Sequence, residues 1–266
     1  GASAQKVLED VILKMINHVY TKTKMKNLCV GGGVALNGVA NYKILKEGPF
    51  ENVHIPPSPG DAGSAVGAAQ YLYYVYHKNP KNISKNTERL VHENVYVGPS
   101  FSDAEITKFL DSKNILYESF DRVSLLKKTA QLIADGNIVG WYQGKMEWGP
   151  RALGNRSILA DPRREDMKDI LNAKIKHRES FRPFAPSVME EYAPEYFDMD
   201  IPSPYMLMVA PVKKSKEIPA VTHVDGTGRL QTVSKDSNPL YYDLINEFYK
   251  ITRIPVIINT SMNVMG

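Results

Sequence analysis

The sequence predicts an α/β protein built in two consecutive units. Three observations carry that expectation. Segments with a helical apolar period alternate with short apolar runs through both halves. Glycine and proline mark several of the breaks between them, as at Gly48, Pro56–Gly60 and Gly136. A Lys-, Asn- and Pro-rich stretch at 78–90 shows no apolar period, so residues 81–90 read as a linker between a unit at 1–80 and another at 91–266. With 266 residues, 43% hydrophobic and 23% charged, the chain has the apolar content to bury a core.

In the first unit, residues 4–20 put Val7, Leu8, Val11, Ile12, Met15 and Val19 on one helical face. Residues 27–30 read as a strand running into Gly31-Gly32-Gly33, and a helix follows over 35–46 with Gly48 as its stop. A strand at 53–55, a proline-rich turn at 56–60 and a helix over 61–77 complete the unit. In the second unit, 95–97 reads as a strand, and Ser102 with Glu105 forms a capping-box signature that opens a helix. Strands are predicted at 115–119, 137–142, 205–211 and 254–259, and helices at 124–135, 165–176 and 239–251, with a hairpin turn at 225–228. No internal repeat is visible.

Composition removes several classes of function. No apolar run approaches the ~20 residues of a membrane-spanning helix, and no signal segment opens the sequence. Cys29 is the single cysteine, which excludes an internal disulfide and points to a reducing cytoplasm. The start at Gly1-Ala2-Ser3 and the stop at Gly266 both read as cuts in a longer chain. A net charge of +4 is too mild to argue for nucleic acid. The distribution is more informative: Arg151, Arg156, Arg163, Arg164, Arg178 and Arg182 crowd one stretch while the lysines scatter. Clustered arginine suits bidentate binding of phosphate or carboxylate.

Four motifs are candidates for chemistry. Gly31-Gly32-Gly33 between strand and helix would let backbone N–H groups approach an anion, or it is only a tight turn. Asp61, flanked by Gly60, Ala62 and Gly63, is a helix cap or a cation ligand. Residues 144–163 hold Lys145, Arg151 and Arg156 in a constrained loop of glycines and proline, echoed by Lys176-His177-Arg178 and by Arg182 in 181–187. Cations fixed in that way suit chemistry on a polyanion, where they offset charge as phosphate departs. Asn259 and Ser261, placed after an apolar strand, sit where α/β proteins often contact ligands.

Taken together, the segments 31–37, 59–69, 149–157, 181–187 and 259–263 resemble the O-carbamoyltransferases of nodulation-factor and cephem-antibiotic biosynthesis. The resemblance covers nearly the whole chain, and the run Gly149–Ser157 is its most specific part. It implies the C-terminal part of an actin/hexokinase-type ATPase-fold domain, followed by an α/β domain similar to threonylcarbamoyl-adenylate synthases. ATP and carbamoyl phosphate would form carbamoyl-adenylate in the second domain. The carbamoyl group would then pass to the hydroxyl of a sugar or other small metabolite in the first. The implied catalytic residues are Lys145, Arg151 and Arg156, with Arg178, Arg182, Ser157, Asn259 and Ser261 completing the phosphate and ATP pocket. Gly31, Gly32, Gly33 and Asn37 would line the adenylate in the transfer site. Asp61 would be one ligand of a divalent metal, iron in the family. The family's metal site also uses a His-x-x-x-His pair, yet no two of the six histidines here are four apart. The other ligands are therefore expected outside this chain, and the chain alone is not expected to complete transfer. Two rival readings are a maturation factor that carbamoylates a protein cysteine and an RNA-binding module. The basic stretch lacks the interleaved exposed aromatics of single-strand binders, which weighs against the second. Oligomeric state stays open.

Overall fold

The computed structural model describes residues 1–79 and 95–263. The linker expected at 81–90 lies outside the described residues. Contacts divide the chain into one unit of Gly1–Val95 with Leu207–Val209 and a second of Tyr96–Met206 with Ala210–Gly266.

The first unit runs α1 (Ala2–Thr23), β1 (Asn27–Cys29), a 3-10 turn at Gly33–Leu36, α2 (Gly38–Glu47), β2 (Asn52–His54) and α3 (Asp61–Tyr71). A π-helical turn over Leu72–Tyr76 follows α3. β1 and β2 pair in parallel with Leu28 opposite Val53. α1 packs on α2 through Ile16 and Ile44, both buried, and Lys43 reaches Glu9 at 3.1 Å. The single apolar face expected on α1 is divided in two. Leu8, Ile12 and Ile16 turn inward, whereas Val7, Val11, Met15 and Val19 are exposed. The expected helix at 35–46 starts later because Asn37 caps it, accepting from the Ala40 amide at 3.1 Å. Buried Asn41 ties this helix to the 207–209 segment by donating to the Leu207 carbonyl at 2.8 Å.

The second unit carries α4 (Asp103–Ser112), α5 (Arg122–Ala134), β3 (Val139–Tyr142), β4 (Arg156–Ala160), α6 (Met167–Leu171), β5 (Ala185–Met189), α7 (Ala193–Tyr196), β6 (Ala210–Pro211), β7 (Thr227–Gly228), β8 (Gln231–Val233), α8 (Pro239–Thr252) and β9 (Val256–Ser261). Five strands form one sheet in the order β3-β4-β9-β5-β8. α5 and α8 pack together over it, and Ala130, Ile133, Leu159, Leu244, Ile245, Phe248 and Ile257 form a core sealed from solvent. Each helix has a reason to begin where it does. Asp121 caps α5 through the Val123 and Ser124 amides, and Asn238 caps α8 with Pro239 at the first turn.

In this sheet only β5–β8 is parallel and the other pairs are antiparallel. Three expected strands fail. Residues 95–97 supply only a bridge from Tyr96 to Glu147, 115–119 form no strand, and 205–211 shrinks to β6. Four strands were missed, the two-residue β7 among them. β4 emerges from what read as loop, while β5 and β8 carry buried Ser187, Gln231 and Thr232, and Pro186 sits inside β5. Buried polar residues erase the period-2 signal on which a strand reading depends. Asn259 and Ser261 lie within β9 and not beyond its end. The helix expected at 165–176 is α6 continued by a π-helical turn over Asn172–Lys176. The turn at 225–228 is real, with Gly226 at φ 79, but its strand β7 pairs with β6 and so makes no two-residue hairpin. Among the described residues, no helix is long and apolar enough to cross a membrane.

Candidate functional site

The site grows from the loop joining β3 to β4. Its anchor is an acid among bases. Buried Glu147 accepts through Oε1 from the backbone amides of Leu153, Asn155 and Arg156 at 2.7, 3.3 and 3.2 Å. Asn155 donates to the Lys145 carbonyl at 2.7 Å, and its Oδ1 accepts from Gln143 and Asn238. Ser157 accepts from the Gly154 amide at 3.0 Å, and at Gly154 (φ 102) a Cβ would lie 2.3 Å from the Tyr241 ring. Only glycine fits there.

A second polar network fixes the loop to the sheet. Asn259 on β9 donates to Ser187 on β5 at 3.1 Å, to Gln231 on β8 at 3.0 Å and to the Ala152 carbonyl at 3.1 Å. Gln231 in turn donates to the Leu153 carbonyl at 3.0 Å. Arg151 is thus displayed by a backbone pinned on both sides.

Around it lie further cations. Arg229 is half-buried with its Nε sealed from solvent and unpartnered, and the Arg151 Nε is in the same condition. Burial, then the charges of Arg151 and Arg178, push the Arg229 guanidinium down to about 10. Burial lowers Arg151 as well. Arg178 stacks on Phe184 at 4.8 Å and donates from Nε to Asn172 at 2.7 Å. Buried Lys176 donates to the carbonyls of Ser261 at 2.5 Å and Asn263 at 2.8 Å, and burial followed by Arg178 pushes its ammonium down to about 8. Among the described residues, Arg151, Arg229 and Lys176 have no carboxylate at ion-pair distance, although other arginines of this unit, such as Arg163 with Asp161 and Arg164 with Asp166, do. Buried charges are normally paired. Mutually repelling cations held without counter-charge are chemically suited to take up a polyanion.

The sequence-predicted residues divide accordingly. Arg151, Arg178 and Ser261 belong to this cluster, with Asn259 behind it. Ser157 is the cross-strand partner of Ser261 and braces the loop. Arg182 pairs with Glu179 at 2.9 Å beside Arg178. Arg156 stacks on Tyr142 at 3.6 Å and donates to the carbonyls of Gln143, Asn155, Gly144 and Pro99, so its donors hold backbone. Lys145 is exposed. Sequence reasoning passed over Arg229, Glu147 and Gln231 as site residues, and Lys176 entered it only within the echoing run Lys176-His177-Arg178. Glu147 had a signal, as a lone acid inside the basic motif, whereas Arg229 is isolated along the chain and reaches the cluster only through folding.

In the first unit the structure brings Gly31–Gly33 beside Pro59–Gly60, with the Gly32 amide donating to the Pro59 carbonyl at 2.8 Å. A Cβ at Gly31, Gly32 or Gly33 would meet nothing within 4 Å. Asn37 spends its side chain on the α2 cap and on Gln5. Asp61 is exposed at the first turn of α3, whose N-cap is Gly60, and it makes no side-chain capping bond. The cap reading of Asp61 therefore does not hold. Among the described residues, no three His, Cys, Asp or Glu side chains converge on a metal position. One exposed carboxylate does not hold a divalent ion by itself.

The sequence pattern of the carbamoyltransferase C-terminus matches residues 130–266, and that of the carbamoyltransferase N-terminus matches 1–70. The chain belongs to the carbamoyltransferase family. An uncharacterized protein of Synechocystis sp. is 44% identical over all of this chain and 47% of its own length. Nodulation protein NolNO of Sinorhizobium fredii is 44% identical over 99% of this chain and 38% of itself. Nodulation protein NolO of Bradyrhizobium diazoefficiens is 41% identical over 99% and 48%. This carbamoyltransferase chain thus spans under half the length of these curated relatives. Among solved structures, full-length HypF in its phosphate- and nucleotide-bound form is similar at 20% identity and a TM-score of 0.37, over 56% of this chain and 18% of that one. So slight a likeness carries no weight for the fold.

Proposed function

We propose that this chain serves a carbamoyltransferase whose second unit binds carbamoyl phosphate and ATP and forms carbamoyl-adenylate, for delivery to the hydroxyl of a small acceptor such as a sugar. The observation that carries the reading is the pair Arg151 and Arg229. Their Nε groups are buried and unpartnered, and each charge is raised in energy by burial. Such an arrangement is costly until a polyanion enters. In this reading Arg151, Arg178, Arg229 and Lys176 take the phosphate oxygens and Ser261 completes the pocket. Arg182, Asn259, Ser157 and Arg156 position the loops, and exposed Lys145 reaches the outer phosphates. Unit two then corresponds to a domain similar to threonylcarbamoyl-adenylate synthases. Unit one corresponds to the tail of an actin/hexokinase-type domain, with Gly31–Gly33 and Asn37 near the adenylate of the transfer step. Asp61 is proposed as one ligand of a divalent metal, iron by resemblance, whose other ligands are not among the described residues. A reducing cytoplasm suits the lone, exposed Cys29.

Titration calorimetry with carbamoyl phosphate and with ATP tests the reading. Arg151→Met and Arg229→Met are each expected to weaken binding about 10- to 100-fold, the worth of a charge-assisted contact. Arg122→Ala, which removes an exposed ion pair with Asp243, should leave it within about twofold. Equal effects of the three substitutions would overturn the assignment.

A further inference from the structure

The turn preceding Arg229 contains a hydrogen-bonded chain that the reading above does not use. Thr227 Oγ1 lies 2.7 Å from Asp225 Oδ1 and 3.0 Å from His223 Nδ1. The Thr227 amide also donates to Asp225 at 3.1 Å, and the two backbones cross at His223 N to Thr227 O, 2.7 Å. The hydroxyl bond, with the backbone bond beside it, holds the Asp225 carboxyl below its usual range, so it is ionised and accepts only. The single hydroxyl proton of Thr227 therefore goes to Asp225, and its oxygen can only accept from the imidazole. That fixes the tautomer: Nδ1 carries the proton, and neutral His223 keeps its lone pair on Nε2. Nε2 has no hydrogen-bond partner among the described residues.

Burial keeps His223 neutral. Burial acts first, Asp225 opposes it, and Arg229 adds to it, so the imidazole lies below its ordinary value. His223 is close enough to Arg229 to feel its charge, and Arg229 feels Arg151 and Arg178. Within electrostatic reach of the guanidinium of Arg229 there is thus an imidazole whose lone pair is fixed by a carboxylate–hydroxyl–imidazole chain. Donors alone read phosphate and cannot tell one acyl phosphate from another. Carbamoyl phosphate differs from acetyl phosphate by an NH2 in place of a CH3, and an acceptor is what distinguishes the two. Gln143 Oε1, Glu147 Oε2 and Asn259 Oδ1, the unpartnered acceptors of the braced loop and the strand behind it, are all sealed from solvent.

We propose that His223 is the specificity-determining residue of the anion site, its Nε2 accepting from the carbamoyl NH2 while the cations hold the phosphate. This rests on the site being a carbamoyl phosphate site, and the experiment separates the two ideas. Calorimetry on the full chain compares carbamoyl phosphate, acetyl phosphate and inorganic phosphate, for wild type, His223→Leu and His223→Gln. Wild type is expected to prefer carbamoyl over acetyl phosphate by about tenfold, one buried hydrogen bond. His223→Leu should bring that ratio to within about twofold with acetyl phosphate affinity unchanged. His223→Gln, which offers an oxygen near the Nε2 position, should restore most of it. Lowering the pH below the ordinary imidazole range protonates Nε2 and should erode the preference in wild type but not in His223→Leu. A wild-type preference that survives in His223→Leu overturns the proposal. So does a loss of all three ligands together in both variants, which would mark His223 as structural. Equal wild-type affinity for the two acyl phosphates overturns the proposal while leaving the phosphate site standing, and no binding of any ligand overturns both.

Discussion

Two loops that follow strands were both expected to meet phosphate, and they are built in opposite ways. The loop at 31–33 is bare backbone, exposed, with open space wherever a side chain would go and a single cross-loop bond to Pro59. The loop at 144–156 is held by a buried carboxylate, two asparagines and a glutamine. A backbone amide is short and already placed by its strand, so a glycine loop needs clearance more than bracing. An arginine is long, and holding several near each other raises the energy of all. The surrounding backbone must then absorb both entropy and repulsion. Bracing is expected where cations do the binding.

The largest test breaks the brace. Glu147→Ala strips three backbone amides of their acceptor in a buried setting, which should cost about 3–5 kcal/mol in urea unfolding. Glu147→Gln keeps an oxygen for the same amides and should cost about 1 kcal/mol. If alanine costs no more than glutamine, the loop is held by something else, and the contrast between the loops collapses.

The sequence made the basic loop legible because Gly149–Ser157 packs its signals into nine residues. It also made α5 and α8 legible, expected over 124–135 and 239–251 and found over Arg122–Ala134 and Pro239–Thr252. What it hid follows from long-range pairing. Arg229 joins Arg151 from 78 positions away, and β5 and β8 are buried on both faces with Ser187 and Gln231 facing one another at 2.7 Å. A polar pair satisfied across strands is indistinguishable, along one strand, from a loop. In the first unit the same limit applied to α1, whose two apolar stripes lie next to each other and read as one until α2 chose between them.

A middle-sized test sharpens the account of repulsion. The folded state holds the Lys176 ammonium at about 8, below its ordinary value near 10.5. Between these values the unfolded chain binds more protons than the folded one, so stability should rise with pH. From pH 8 to 9.5, below the ordinary tyrosine range, the gain from Lys176 is about 1–2 kcal/mol at most. Urea midpoints should therefore climb across that window in wild type and stay flat in Lys176→Met. Saturating inorganic phosphate, by giving the ammonium a counter-charge, should remove the slope. A slope unchanged by phosphate would place Lys176 outside the anion site.

The smallest expected effect lies in the open loop. Gly31→Ala adds a methyl where nothing lies within 4 Å, and Gly31 has no positive φ, so stability should move by less than about 0.5 kcal/mol. Gly32 is the internal contrast: its φ of 97 with ψ 164 is a conformation that essentially only glycine adopts, and Gly32→Ala should cost about 1–3 kcal/mol. If the clearance at 31 exists for a ligand, the methyl occupies space that a nucleotide phosphate needs. Gly31→Ala should then keep its urea midpoint and lose ATP affinity at this unit. Measuring both in one preparation separates the possibilities. An unchanged midpoint with unchanged ATP binding would mean that the clearance serves no ligand and that the glycines only turn the chain. A lowered midpoint would mean that the space is filled in the folded protein, and the loop would then be braced like its counterpart at 144–156.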